Sequence, residues 1–388
     1  MSKIKPHDVV IVDCARSAIT PAHHGQFQQL HPEQLGARLL ASLLQRHTFD
    51  RNDIDGLILG CAYPEQQQSQ NIARRIGLLT QLPVEVPAHC ISAFTGSSMQ
   101  ALHHATAQIM AAQAQVFLLG GLEHVRPKTS ETLACNEASK FYPSMAQHSA
   151  YSHDLLAKMY DISKEEQDEM AFASHQKVQL AQQRGLFKSQ IIALEGQLSD
   201  GTASICTEDT YTHTDLALSD IKQHTPISDL PHASFSLGNS ALPASGASGM
   251  LVMSQHYAQQ CGLKARAVIR ANTVASCDPA ISPFALVSAT QKALNKANMT
   301  AKDIQQFEIH EASASQYLTA IRALDISKQQ DCINSYGGAI ALGDASGATG
   351  LQLITSLLHA MEQHDRQFGL ASLAIPLGQG MCTIIERI

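Results

Sequence analysis

Cysteine and histidine are the side chains best suited to nucleophilic, acid–base or metal chemistry near neutral pH, and this chain carries 9 of the first and 19 of the second. Spacing limits what they can do. The cysteines, from Cys14 to Cys382, are scattered, odd in number and never arranged as Cys-x-x-Cys, so neither a disulfide framework nor a zinc site is expected. No metal is expected at all. Cys90 falls inside a strand-like run, where a free cysteine is read as a small core residue. No Walker loop or dinucleotide-type glycine fingerprint is present, which leaves nicotinamide, flavin and ATP without support.

The elements that must position any active group come from composition and periodicity. With 388 residues, 44% apolar and 16% charged, the chain suits two or three compact lobes with a sizeable core. Lys+Arg of 27 against Asp+Glu of 34 gives a net charge of −7, so nucleic acid and anionic membranes are not the expected partners. No apolar stretch approaches the ~18 residues of a membrane span, and Met1 to Pro6 lead into a strand-like run rather than a signal peptide. The expected location is cytoplasmic.

Val9–Val12 reads as a buried strand, Pro32 opens a helix with Leu35, Leu39, Leu40, Leu43 and Leu44 on one side, and strands over 54–61 and 86–91 flank a helix over 71–79. A long helix over 96–112 then runs into a strand at 116–121. The last third repeats the plan: strand 267–271, helix 286–297, strand 306–309, helices 314–324 and 348–361, strands 370–375 and 382–386. Gly96-Ser97-Ser98-Met99 and Gly347-Ala348-Thr349-Gly350 each open a helix that runs into a strand, an echo that suggests duplication. Between about 123 and 237 the rhythm becomes polar and helical, as in an inserted cap. The resulting division is an N-terminal lobe at 1–122, a cap at 123–237, a return to the first lobe at 238–262 and a C-terminal lobe at 263–388. The fold class is α/β, with two βαβ-type lobes on mixed sheets.

Val86-Pro87-Ala88, Gly96-Ser97-Ser98-Met99-Gln100-Ala101 and Gly120-Gly121-Leu122-Glu123-His124 resemble the N-terminal signature of the thiolases. Ile162 to Asp168, Gly238-Asn239-Ser240, His310-Glu311-Ala312, Gly337 to Gly343 and Leu377-Gly378-Gln379-Gly380 follow in family order over nearly the whole chain. The likeness is closest to bacterial 3-ketoacyl-CoA thiolases of fatty-acid β-oxidation. It implies a layered α/β/α/β/α fold and an acyltransferase that holds its acyl group as a cysteine thioester.

At the reacting positions the sequence departs from that pattern. The nucleophilic cysteine of the family immediately precedes the Gly-Ser pair, where this chain has Thr95. A cysteine reference pKa near ~8.5 is easily lowered at a helix N-terminus, whereas an alcohol needs a positioned base. The family's Gly-His-Pro reads Gly343-Asp344-Ala345, and its Asn-Glu-Ala-Phe reads His310-Glu311-Ala312-Ser313. The acid/base cysteine of Cys-x-Gly is Ala374, and the glycine is Pro376, which has no N–H to offer an oxyanion.

Two readings follow from the resemblance. One is a protein that binds CoA or acyl-CoA without cysteine-based thiolysis. The other is an acyltransferase or acyl-CoA hydrolase in which Thr95 is nucleophile, His310 its base and Asp344 the orienting carboxylate. In both, CoA or acyl-CoA is a ligand, and no cofactor is permanently bound. The resemblance places His148, Gly238, Asn239, Ser240 and Ala312 along the pantetheine arm, with cap cations such as Arg126, Lys128, Lys164 and Arg184 as candidates for the CoA phosphates. It also implies a homodimer or tetramer, with a multifunctional β-oxidation subunit as a further partner.

Overall fold

The computed structural model describes residues 4–124, 149–198, 200–210 and 216–388. The strands are β1 (Val9–Arg16), β2 (Thr20–Pro21), β3 (Gly56–Cys61), β4 (Ala88–Ile91), β5 (Val116–Glu123), β6 (Leu194–Gln197), β7 (Ala203–Cys206), β8 (Ala244–Ser254), β9 (Ala267–Ser276), β10 (Gln306–Ile309), β11 (Phe368–Ile375) and β12 (Gln379–Arg387). The α-helices are α1 (Pro32–Gln45), α2 (Ile72–Leu79), α3 (Ser97–Met110), α4 (Ala150–Met159), α5 (Lys164–Gln183), α6 (Leu218–Lys222), α7 (Gln255–Gln260), α8 (Ala285–Ala297), α9 (Ala314–Ala323), α10 (Ala339–Leu342) and α11 (Ser346–Gln363).

Nine strands follow the order β10-β11-β12-β9-β1-β8-β5-β3-β4, with β2 added beside β8. The seam between β1 and β9 is short, Val10 opposite Val268 and Ile11 opposite Ala267, so two half-sheets meet edge to edge. Their internal pattern repeats. In one half β3 runs parallel to β5, β5 antiparallel to β8 and β8 antiparallel to β1. In the other β10 runs parallel to β11, β11 antiparallel to β12 and β12 antiparallel to β9. The expected duplication is visible in this pairing.

Strand alternation sorts the core into layers. Leu57 and Leu59 of β3 pack with Leu39, Leu43 and Ile76 of α1 and α2 on one side. Ile58 faces the other way and joins Met99, Leu102, Leu351 and Ile354 of α3 and α11, with Leu373 and Ile385 from the second half-sheet. Leu286, Leu294, Tyr317 and Ile321 of α8 and α9 close the far side against Phe307 and Leu370. The order is therefore helix, sheet, helix, sheet, helix. The two helices singled out as an echo form the central layer, crossing where a Cβ on Gly350 would come within 2.4 Å of the Met99 amide nitrogen. Leu351 N–H donates to Ser98 Oγ across the same crossing at 3.1 Å.

His103 of α3 is buried in this layer beside Thr383 Oγ1, 2.9 Å from its Nε2. Burial, with a smaller push from Lys296, lowers its pKa from 6.5 to about 3. The folded protein therefore holds this ring neutral at pH values where the unfolded chain protonates it. The penalty is absent above pH 6.5 and grows as pH falls toward about 3, at up to about 1.4 kcal/mol per pH unit. His103→Gln is expected to flatten the loss of stability between pH 7 and pH 5, read from urea midpoints.

The polar stretch after β5 supplies α4, α5, the β6–β7 hairpin and α6. Ser163 caps α5 through a reciprocal pair with Glu166. The first half of β8, by contrast, carries no local strand signal: Ala-Ser-Gly-Ala-Ser-Gly has little strand propensity, yet the strand is buried throughout. Small residues are required there because Gly249 lies under α1, where a Cβ would come within 2.8 Å of Leu40. Among the described residues no helix is long and apolar enough to cross a membrane.

Candidate functional site

A cavity of ≈ 390 Å³ opens where the two half-sheets and the insert converge. Its wall brings together Thr95, His310, Ala312, Asp344, Ala374 and Pro376, residues far apart in sequence. Tyr63, Phe94, Ser149, Ser152, His153, Phe235 and Gln316 complete much of the rest.

Thr95 sits at the turn between β4 and α3, one residue before the Gly96 N-cap. Phe94 holds a left-handed backbone (φ 47°), a strained conformation for a bulky side chain. This sharp elbow turns residue 95 toward the cavity, and the Phe94 ring rests edge-on to Tyr63 at 6.0 Å. The Thr95 hydroxyl does not reach an imidazole. It donates to the Ala374 carbonyl at 3.1 Å, two residues before Pro376 in the loop that follows β11.

His310 follows β10 and is almost wholly buried, yet neither ring nitrogen has a hydrogen-bond partner. Its backbone is fixed instead: its N–H donates to the Ser372 carbonyl and its carbonyl accepts from Gln316 Nε2 at 2.8 Å. Asp344 Oδ1 stands 3.7 Å from His310 Nε2, an ionic rather than a hydrogen-bonding separation. Asp344 itself accepts from Thr349 Oγ1 at 2.5 Å and Ser346 Oγ at 3.1 Å. Burial pushes its pKa up, but the facing His310 and these hydroxyls outweigh it and leave the carboxyl below its ordinary value. The carboxylate is thus charged at neutral pH and cannot donate a proton to a ligand.

Glu311 points away from the cavity, accepting from Ser174 Oγ and Asn334 Nδ2, both at 2.7 Å. Burial raises its pKa against these hydrogen bonds. Glu123, at the end of β5, accepts from the amides of Ala62 and Gly347 at 2.9 and 3.1 Å. It ties the loop bearing Tyr63 to the first turn of α11.

Gly238, Asn239 and Ser240 are not on the cavity wall. Asn239 Nδ2 donates to Asp168 Oδ1 at 2.9 Å and Ser240 Oγ to the Ser236 carbonyl at 2.7 Å, so their polar groups brace the insert. Ala241, the next residue, does line the cavity. His148, Arg126 and Lys128 lie outside the described residues. Arg184 belongs to a different crevice on the molecule, and Lys164 is paired with Asp168 at 2.6 Å.

His153 is a site residue that the sequence motifs do not single out. Its ring stacks on Phe235 at 4.8 Å and its Nδ1 meets Ser313 Oγ at 2.6 Å. Position 313, where the family has phenylalanine, is the available signal: a hydroxyl there can hold an imidazole. No cysteine among the described residues lines the cavity. Cys90 is half-buried on edge strand β4, where burial pushes its pKa up. The described residues contain no cluster of metal-ligating side chains.

Residues 9–256 match the family described as thiolase, N-terminal domain, and residues 263–387 that described as thiolase, C-terminal domain. The chain is 41% identical to a 3-ketoacyl-CoA thiolase of Acinetobacter baumannii (strain ATCC 17978) over 390 residues, covering 100% of both chains. It is 39% identical to one of Psychrobacter sp. (strain PRwf-1), again covering 100% of both. Among solved structures, the Bacillus anthracis acetyl-CoA acetyltransferase superposes with a TM-score of 0.89 at 26% identity, with 100% of each chain covered. Human mitochondrial 3-ketoacyl-CoA thiolase gives 0.89 at 25% identity, covering 99% of this chain and 100% of its own.

Proposed function

We propose, from the premise that this chain belongs to the thiolase family, that it binds CoA or acyl-CoA in the 390 Å³ cavity but lacks cysteine-based 3-ketoacyl-CoA thiolysis. The observation that carries this is His310. A buried imidazole with no hydrogen bond on either nitrogen, and only the Asp344 carboxylate 3.7 Å from its Nε2, is costly unless a ligand supplies the missing bond, and it faces a cavity without a thiol among the described residues. In this reading His310 donates to the thioester carbonyl, while Ala312 and the Phe235–His153 stack flank the pantetheine arm. Thr95, Asp344, Ala374 and Pro376 occupy the family's reacting positions with groups that supply neither thiolate nor acid nor, at 376, an amide donor.

The relay reading, with Thr95 as nucleophile, is weaker because the Thr95 proton is directed at the Ala374 carbonyl and not at His310. The same reading divides the chain at 1–122, 123–237, 238–262 and 263–388. Its expectations of a cytoplasmic homodimer or tetramer, with or without a β-oxidation partner subunit, rest on the family alone.

Incubation with acetyl-CoA and longer acyl-CoAs, followed by calorimetry and intact-protein mass measurement, tests the proposal. Saturable binding with no covalent increment is expected, with His310→Ala weakening binding by about tenfold, one hydrogen bond's worth. An acyl adduct on Thr95 that Thr95→Ala abolishes would overturn it. So would release of acetyl-CoA from a 3-ketoacyl-CoA and CoA well above background.

A further inference from the structure

An open crevice of ≈ 900 Å³ lies apart from the acyl cavity and shares no residue with it. Five segments build it: Asp13 of β1, Arg46 and His47 after α1, the turn Arg184–Ser189 after α5, the segment Lys264–Arg266 leading into β9, and His359 and Glu362 near the end of α11. Five Lys and Arg residues line it against two carboxylates, in a chain whose overall charge is −7.

Both carboxylates are already committed. Arg266 clamps Glu362 with two hydrogen bonds of 2.8 Å and reaches Asp13 Oδ1 at 2.9 Å, while His47 holds Asp13 Oδ2 at 2.9 Å. Arg46 stands 3.5 Å from Asp13. Arg184, Lys188 and Lys264 are left without an ion pair among the described residues. Gly185, in a left-handed turn (φ 68°), lets the Lys188 stem fold back over it, where a Cβ would come within 3.3 Å, so Arg184 and Lys188 share one lip.

Tautomer logic adds a neutral donor. Arg266 can only donate, so His359 Nε2, 3.2 Å from it, accepts. The ring proton is then on Nδ1 and is given to Ser189 Oγ at 3.0 Å, which leaves the Ser189 hydroxyl proton free to point into the crevice. Among the described residues no phenylalanine, tyrosine or tryptophan lines the crevice, its two imidazoles are held by Asp13, Arg266 and Ser189, and its apolar wall is limited to Val12, Leu186 and side-chain stems. The guanidinium fork, two ammonium groups and a hydroxyl match the oxygens of a multiply charged phosphate group.

We propose that this crevice binds a small polyphosphate anion through Arg184, Lys188, Lys264 and Ser189. The test uses tripolyphosphate as the probe, by calorimetry on the full-length protein in low-salt buffer free of phosphate. One saturable site is expected. The combined variant Arg184→Gln, Lys188→Gln, Lys264→Gln changes only exposed side chains and is expected to weaken it about tenfold or more, with an unchanged melting temperature. Ser189→Ala is expected to cause a loss of a few-fold. Acetyl-CoA binding by the triple variant is expected to match that of the unaltered protein, which keeps this outcome separate from the fate of the acyl cavity. Absence of saturable binding, unchanged affinity in the triple variant, or displacement of the probe by equimolar acetyl-CoA would each overturn the proposal.

Discussion

Thr95→Cys, Asp344→His, Ala374→Cys and Pro376→Gly made together are expected to confer 3-ketoacyl-CoA thiolysis, and the set lacking Pro376→Gly is expected to be about 10²–10³-fold slower. The elbow for a nucleophile is in place: Phe94 keeps its left-handed turn and α3 begins two residues after position 95. A thiol there meets the positive end of that helix, which favours thiolate, whereas the present alcohol gains little from it. The Asp344→His and Ala374→Cys replacements supply a base in the loop before α11 and an acid at the end of β11, a contribution worth about 10²–10⁴ in rate. Proline at 376 cannot donate, so restoring its amide has to contribute separately. Acetyl-CoA release from a 3-ketoacyl-CoA and CoA is the readout. If a folded variant carrying all four replacements stays inert while still binding acyl-CoA, this expectation is overturned.

The second large effect concerns stability. Asp209→Ala is expected to cost about 3–5 kcal/mol, because it strands a buried guanidinium. Arg16 and Asp209 have side chains with 0% exposure and meet through two bonds of 2.6 and 2.8 Å. Asp209 Oδ1 also accepts the Ile19 amide at 2.8 Å, Arg16 Nε donates to Gln190 at 3.0 Å, and the guanidinium lies 5.2 Å from the Phe187 ring centre. The pair bolts the insert to β1. Arg16→Met with Asp209→Leu is expected to recover much of the loss, since no charge is then left unpaired. A fall in urea midpoint no larger in Asp209→Ala than in the double variant would refute this account.

The layers are legible in the sequence wherever apolar periodicity is strong. Leu35 to Leu44 point into one core as expected, and the helices at 97–110 and 346–363 prove to be paired across the centre. The first half of β8 is hidden because its small residues are set by what crosses above them, which no local pattern encodes. At the site, family order points to Thr95, His310, Asp344, Ala374 and Pro376, and all five line one cavity. It does not show that the Thr95 hydroxyl turns to a carbonyl, because rotamer choice depends on the loop opposite. Nor does it reveal His153, whose role depends on Ser313 from another lobe, or the basic crevice, whose charges come from separate segments.

The crossing of the two central helices sets where this molecule can yield. Residue 95 precedes one of them and residue 344 the other, and backbone contact at Gly350 and Met99 leaves no room for sliding. Distances across the floor of the cavity are therefore inherited from the scaffold. In the proposed reading, adjustment to acyl groups of different length or shape falls to the roof, where Ser149, Ser152 and His153 belong to the inserted helix α4 and its N-cap.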